Sequence, residues 1–203
     1  MIKAVVFDFG GVLSTGGTLG SGKKYISEYF DIPFEKLNTD DLYAELRKGK
    51  ISSKKFLEFV KSRHDIQKDV DHEHFWRNQN IFNRNEKVYK LAKLLRKLGI
   101  KTAIFSNVFQ PSSKLLREKG YYHGFDPVVL SHEEGLEKPD SDFFKILLKK
   151  LNCKPTQVVL IDDQEKNQLP ATKLGIHFIL AVNAEQISAD VKKILEIKNK
   201  IIL

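Results

Sequence analysis

The sequence predicts an α/β fold, a Rossmann-like parallel sheet with helices on both faces, plus a small all-helical cap domain inserted after the first strand. Three observations carry this. Five short apolar runs are hydrophobic throughout instead of alternating, as strands are when helices cover both faces of their sheet. Amphipathic helical stripes separate those runs, so strand and helix alternate. One long stretch, from about Ser14 to Asn83, breaks the alternation and shows helical pattern only.

The first strand is read at Lys3 to Phe7. Within the insert, helical pieces are expected at Lys23 to Phe30, Thr39 to Arg47, Ser53 to His64 and Asp71 to Gln79. Val88, Leu91, Ala92, Leu95 and Leu98 then fall on one stripe and predict a helix over Asn85 to Leu98. Gly99 follows it, where a helix end favours positive φ. Strands are read at Thr102 to Phe105 and Val128 to Leu130. Phe143, Phe144, Leu147, Leu148 and Leu151 predict a helix over Ser141 to Leu151, with Asp140 or Ser141 as its N-cap. Val158 to Ile161 and His177 to Ala181 complete the sheet. The core domain is therefore expected to comprise 1–14 and 84–203 and the cap 15–83, with linkers in "STGGTLGSG" and "IFNRNE".

A chain of 203 residues with 41% hydrophobic content can bury one such core and a small insert. No apolar run approaches the roughly 20 residues of a membrane span, and "MIKAVVFDF" lacks the apolar stretch and cleavage site of a secretory signal. A cytoplasmic protein without membrane attachment is expected. Cys153 is the single cysteine, which excludes an intrachain disulfide and a cysteine-cluster zinc site; it is read as a packing residue. The formal charge of +8 would draw an anionic partner or substrate. The lysines, however, are interleaved with apolar residues at helical spacing in "KLAKLLRKLGIK" and "VKKILEIKNK". They read as solvated helix faces, so no nucleic-acid partner is expected. Nothing in the composition assigns an oligomeric state.

Polar residues stand at the strand ends. The first strand delivers Asp8, the second Ser106, the fourth Asp162 and Asp163, and Lys138 lies in the loop beyond the third. Taken singly, each has an ordinary reading as a turn residue, cap or surface charge. In an open parallel sheet, however, the carboxyl ends of neighbouring strands face one crevice. Carboxylates sharing a site repel unless a hard cation bridges them, and Mg²⁺ takes one or two carboxylates together with phosphate oxygens. A lysine can hold phosphate charge, a serine hydroxyl can bond a phosphoryl oxygen, and an ionised carboxylate is a nucleophile toward phosphorus. Glycines after Asp8 let backbone N–H groups approach the phosphoryl group. The combination points to phosphoryl transfer.

"VVFDFGGVL", "IFSN", "GLEKPD" and "VVLIDDQEKN", in that order, resemble the four motifs of the haloacid dehalogenase superfamily across essentially the whole chain. The helical insert sits where that family's first-type cap belongs, and "LRKGKISSKKF" resembles a recurrent cap stretch. The resemblance implies a Mg²⁺-dependent phosphatase with Asp8 as nucleophile and metal ligand and the Gly10 carbonyl as a second ligand. Ser106, with backbone N–H groups near Phe9, Gly10 and Asn107, would bind phosphoryl oxygens, and Lys138 would neutralise charge between nucleophile and phosphate. Asp163 would be the acidic metal ligand with Asp162 beside it, their roles exchangeable, and Asn167 stands where many relatives carry another acid. The sequence departs from the pattern at Gly10, where phosphatases of the family usually carry a proton-donating aspartate. Acid–base help of that kind is typically worth about 10²- to 10⁴-fold, so slow turnover of poor leaving groups is expected. Two alternatives stand beside the phosphatase: a catalytically weakened domain that binds a ligand or partner, and a metal-independent 2-haloacid dehalogenase. Mutase activity ranks lower, since it leans on the missing acid.

Gly17 to Lys24 nearly spell a P-loop, but Lys24 replaces the hydroxyl that should hold Mg²⁺, and the strand before it ends about nine residues too early. Gly16, Gly17, Gly20 and Gly22 are read instead as a hinge for a cap that opens and closes. His64, His72 and His74 are read as ordinary cap histidines. Phe30, Phe34, Tyr43, Phe75 and Trp76 are read as the cap's core in preference to its pocket.

Overall fold

The computed structural model describes residues 1–15, 21–37, 39–79 and 82–195. Its elements run β1 (Ala4–Phe7), β2 (Ser14–Thr15), α1 (Ser21–Phe30), α2 (Asp40–Arg47), α3 (Ser53–Arg63), α4 (His72–Gln79), β3 (Asn83–Arg84) and α5 (Glu86–Lys97). They continue with β4 (Lys101–Ser106), α6 (Gln110–Glu118), β5 (Val128–Leu130), α7 (Ser131–Glu134), α8 (Ser141–Leu151), β6 (Val158–Asp162), α9 (Gln168–Lys173), β7 (His177–Leu180) and α10 (Ala184–Ile194).

The main sheet is parallel in the order β5-β4-β1-β6-β7. Alternate residues of each central strand enter opposite cores. Val5, Phe7, Ile104, Val159 and Ile161 pack with Val88, Leu91, Leu95 and Val191 from α5 and α10. Ala4, Val6, Phe105, Val158 and Leu160 pack with Phe143, Phe144, Leu147 and Leu151 from α8. Burial on both faces is the physical reason the strands are continuously apolar. The chain winds outward from β1 through β4 to β5, then returns to β1's other side at β6. That reversal leaves a crevice at the carboxyl ends of β1 and β6, where open α/β sheets bind ligands.

The five expected strands and the stripe-bearing helices are present with ends shifted by a residue or two. Ser106 and Asp162 are the last residues of their strands, and Asp140 caps α8 by accepting from the Asp142 N–H at 2.9 Å. Gly99 has φ +78° after α5. The insert is not strand-free at its margins: Ser14 pairs with Arg84 and Thr15 with Asn83 in a short antiparallel ribbon where the chain leaves and re-enters the core. Strands of two residues, all four of them polar, carry no apolar pattern to detect. The hinge glycines Gly16, Gly17 and Gly20 lie outside the described residues; Lys23 and Lys24 fall in α1. Among the described residues, no helix is long and apolar enough to cross a membrane.

The cap has its own core, in which Ile26, Phe30, Tyr43, Leu46, Phe56, Phe75 and Trp76 cluster. Phe34, expected there, is exposed. Phe109 from the β4–α6 junction completes the cluster, its ring 5.0 Å from Trp76 and 6.0 Å from Tyr43. Cys153 is a free, half-buried thiol packed against the α8 side of the sheet.

Candidate active site

β1 and β6 run in parallel register, so their ends place Asp8 beside Asp162 and Asp163. The Asp8 N–H donates to the Ile161 carbonyl at 2.9 Å, carrying the register one residue past the strand. The Asp8 carboxylate is oriented through Oδ1, which accepts from the Phe9 N–H at 2.7 Å and meets Lys138 Nζ at 3.0 Å. The Phe9 N–H, expected among the phosphate donors, is thus engaged by the nucleophile candidate itself. Ser14 closes the turn after Asp8, its N–H and hydroxyl both donating to the Phe9 carbonyl at 2.9 and 3.1 Å.

Lys138 is buried, and its ammonium has three partners: Asp162 Oδ2 at 2.6 Å, the Phe105 carbonyl at 2.9 Å and Asp8 Oδ1. Its backbone is held as tightly. Asn107 Oδ1 accepts from the Lys138 N–H and Asn107 Nδ2 donates to the Lys138 carbonyl, each at 2.8 Å. The Asn107 side chain therefore positions the lysine. Ser106, one residue earlier, is buried at the end of β4.

Asp162 is fully buried and both its oxygens are engaged. Oδ2 takes Lys138, while Oδ1 accepts from the Gln164 N–H at 2.8 Å and Asn167 Nδ2 at 2.9 Å. Asp163 is half-buried and its Oδ2 accepts from Gln164 Nε2 at 2.9 Å. Gly11 explains how Asp163 reaches the crevice: at φ +74°, a Cβ on Gly11 would lie 2.4 Å from Asp163 Oδ2, so only glycine admits that carboxylate. One oxygen from each of Asp8, Asp162 and Asp163 lies within 4.8 Å of the others, a group that could hold a metal ion.

Burial first, and then the excess of three acids over one ammonium, raise the carboxyls of the site. Asp8 is pushed up to about 7 by burial, with Asp162 and Asp163 adding to the rise and Lys138 opposing it. Asp163 is raised too, first by burial and then by Asp162, against the hydrogen bond from Gln164. Burial pulls Lys138 down, but Asp162 and Asp8 outweigh it and hold the ammonium above its ordinary value.

Asp8, the buried Lys138 and the acid pair Asp162–Asp163 follow one another along the chain and meet in one crevice. The model of haloacid dehalogenase-like hydrolases matches residues 2–174. The chain belongs to that family. A sesquiterpene phosphatase of Aspergillus oryzae is 23% identical to this hydrolase over 86% of its chain and 87% of the relative. A glyceraldehyde 3-phosphate phosphatase of Methanothermobacter thermautotrophicus is 35% identical over 47% of this chain and 43% of its own length. A haloacid dehalogenase family enzyme of Bacteroides thetaiotaomicron, in complex with magnesium and inorganic phosphate, superposes with a TM-score of 0.77 at 22% identity. That match covers 90% of this hydrolase and 95% of that enzyme, and the likeness is one of fold.

The structure of this haloacid dehalogenase-like hydrolase brings Asp8, Lys138, Asp162 and Asp163 into one charged cluster. Ser106 ends the neighbouring strand with Asn107 just past it, and Gly10 lies two residues beyond Asp8. His64, His72 and His74 lie on cap helices or at their ends, apart from the carboxylate group. Sequence reasoning missed Gly11, which the paired glycines of "FDFGGV" carry without saying which one is constrained. It also missed the contacts that seat the cap. Arg47 reaches Glu137 through two hydrogen bonds of 2.6 and 3.2 Å, and the Ser131 hydroxyl donates to the Arg47 carbonyl at 2.7 Å. Gly49, at φ +67°, lies so close to the His132 carbonyl that a Cβ would stand 2.3 Å from it.

Proposed function

We propose that this hydrolase is a Mg²⁺-dependent phosphatase that removes the phosphoryl group of a small phosphorylated metabolite through an aspartyl-phosphate on Asp8. The observation that carries the reading is the cluster of three carboxylate oxygens within 4.8 Å around a single buried ammonium. That donor set is all oxygen and has a negative excess, which suits a hard divalent cation. Asp8 and Asp163, with the Gly10 carbonyl, would hold it; Asp162 has both oxygens committed and serves to fix Lys138. When bound, Mg²⁺ would stabilise charge on the phosphoryl oxygens and keep Asp8 ionised.

The chain's own residues then do the following. Lys138 and the Phe9 N–H hold Asp8 by Oδ1, fixing its rotation in the crevice. A carboxylate oxygen of Asp8 attacks phosphorus as the bond to the leaving oxygen breaks. Water then hydrolyses the aspartyl-phosphate, releasing phosphate and restoring the carboxylate. The Ser106 hydroxyl and the Asn107 N–H bind phosphoryl oxygens at the end of β4, and Lys138 offsets the charge that nucleophile and phosphate bring together. Glycine at position 10 offers no acid to the leaving oxygen, so leaving groups stable as anions react fastest.

Hydrolysis of aryl phosphates and a panel of phosphorylated metabolites, with and without Mg²⁺, tests the reading. Wild type is expected to be active only with the metal and Asp8→Asn inactive; a wild type no more active than Asp8→Asn across the panel overturns it. Gly10 favours one competing reading, a weakened domain that binds a phosphorylated ligand without turning it over. Gly10→Asp creating an activity that wild type lacks would establish that reading instead.

A further inference from the structure

The three clustered acids differ in how many oxygens they leave for a cation. Asp162 has both committed, Oδ1 to the Gln164 N–H and Asn167 Nδ2, and Oδ2 to Lys138. Asp8 has Oδ1 committed to Lys138 and the Phe9 N–H. Asp163 has Oδ2 committed to Gln164 Nε2 at 2.9 Å. Asp8 and Asp163 therefore each offer at most one uncommitted oxygen.

The hold on Asp163 is built from a rigid base. The Gln164 N–H donates to Asp162 Oδ1 at 2.8 Å and its carbonyl accepts from the Asn167 N–H at 3.0 Å, so the glutamine side chain leaves a backbone pinned at both ends. On its other side Asp163 meets Gly11: the point where a Cβ would stand lies 2.4 Å from Oδ2 and 2.6 Å from Cγ. Asp163 is thus confined between the Gln164 amide and the Gly11 backbone. Turning both of its oxygens toward one ion would break the bond from Nε2. That restriction separates two hard cations. Ca²⁺ is the larger, takes more oxygens and accepts both oxygens of one carboxylate, whereas Mg²⁺ takes single oxygens in near-octahedral positions. A carboxamide imposes the restriction without adding charge to the site.

We propose that Gln164 is a positioning residue that sets the ion selectivity of the site: by holding Asp163 Oδ2 it confines Asp163 to one-oxygen ligation and so favours Mg²⁺ over Ca²⁺. The inference rests on the phosphatase reading for the presence of a metal site and adds the residue that chooses the ion.

Calorimetric titration of the full chain with Mg²⁺ alone and with Ca²⁺ alone tests it, and the quantity read is the ratio of the Ca²⁺ Kd to the Mg²⁺ Kd. Gln164→Met keeps the length of the side chain and drops the amide; Gln164→Ala removes the side chain. Both retain the backbone N–H that holds Asp162. Each should weaken Mg²⁺ by about tenfold, the scale on which groups orienting a metal ligand act, and leave Ca²⁺ unchanged or tighter, so that the ratio falls by about tenfold or more. Glu165→Gln, at the exposed neighbouring position, removes a whole charge. It acts on two doubly charged ions alike and should leave the ratio where it is in wild type. Equal weakening of both ions in the Gln164 variants overturns the selectivity role while the metal site stands, as does a Glu165→Gln ratio that falls as far as theirs. A wild type that binds neither ion removes Mg²⁺ from the phosphatase reading, and this inference with it.

Discussion

The crevice and the cap are held by different forces. In the crevice the groups are fixed by directional bonds: the Lys138 ammonium has three partners, Asp162 uses both oxygens and Asn107 clamps the lysine backbone at two points. The cap interior is held by ring packing, with Phe75 meeting Tyr25, Tyr29, Phe30 and Trp76 at 4.8 to 5.8 Å. Its charged seat on the core is the Arg47–Glu137 pair. Bonds that fix atoms to a few tenths of an ångström suit chemistry, which tolerates little displacement. Packing that is hydrophobic and of the right volume tolerates sequence change better than a network of directional bonds does.

The comparison breaks most sharply at Lys138. Lys138→Met keeps the length of the side chain and removes the charge, leaving the fully buried Asp162 without its cation. Breaking a buried pair from one side costs about 3–5 kcal/mol, and loss of a positioned charge in the site about 10²- to 10³-fold in rate. Urea titration and aryl phosphate turnover measure the two effects. A stable, active Lys138→Met protein would mean that the crevice is no more directional than the cap.

Gly11→Ala comes next. The new methyl would enter the space of Asp163 Oδ2 at a backbone angle that costs a side chain about 1–2 kcal/mol. Asp163 must withdraw, so the apparent Mg²⁺ affinity should fall by about 10- to 100-fold, read by calorimetry, while the fold persists. The substitution most like it in the cap is Gly49→Ala, which would disturb docking against the His132 carbonyl and leave metal affinity unchanged.

What the sequence made legible follows the same division. Strands buried on both faces have to be continuously apolar, which makes their ends easy to place. Asp8, Ser106 and Asp162 each have an ordinary reading as a turn or cap residue, and they stand out because they recur together at the carboxyl ends of a parallel sheet. The helices of the insert were legible too, as helical pieces in a long stretch without a strand-like run. What escaped notice were the relations between distant segments. Arg47 and Glu137 stand 90 residues apart, neither in an unusual context, and their meeting depends on how two separately packed units dock. Phe109 reads as one more loop aromatic until its ring is found among cap residues. Gly10 and Gly11 are identical in sequence, and only the approach of Asp163 distinguishes them.

A smaller effect lies in the pH dependence of the metal-free protein. The Asp8 carboxyl rises from an ordinary 3.8 to about 7 on folding, so as pH climbs through that window the unfolded chain ionises while the folded one stays protonated. Stability is fully present below about 4 as far as this group is concerned, and by about pH 7 it has lost on the order of a few kcal/mol. A cation binding the ionised site reverses that loss. The rise in Tm on adding Mg²⁺ should therefore grow between about pH 5 and pH 7 and level off above it. A Mg²⁺ shift independent of pH would separate Asp8 from the metal site.

The smallest effect tests whether the cap's seat and the lysine are independent although Glu137 and Lys138 are neighbours in the chain. Glu137→Gln keeps the shape that faces Arg47 and removes the charge of a pair whose side chains are 17–20% exposed. A bidentate pair that is largely buried stands between an exposed bridge and a fully buried one, so thermal melts should show a loss of about 1–2 kcal/mol. Lys138 should keep its place, since its backbone is held by Asn107 and its ammonium by Asp162, Asp8 and the Phe105 carbonyl, all of them at the strand ends. Turnover of a small aryl phosphate should consequently change less in Glu137→Gln than in Asn107→Ala, where two part-buried hydrogen bonds to the lysine loop are lost at about 1 kcal/mol each. The reverse order would show that the docked cap, and not the strand-end network, sets the position of the lysine.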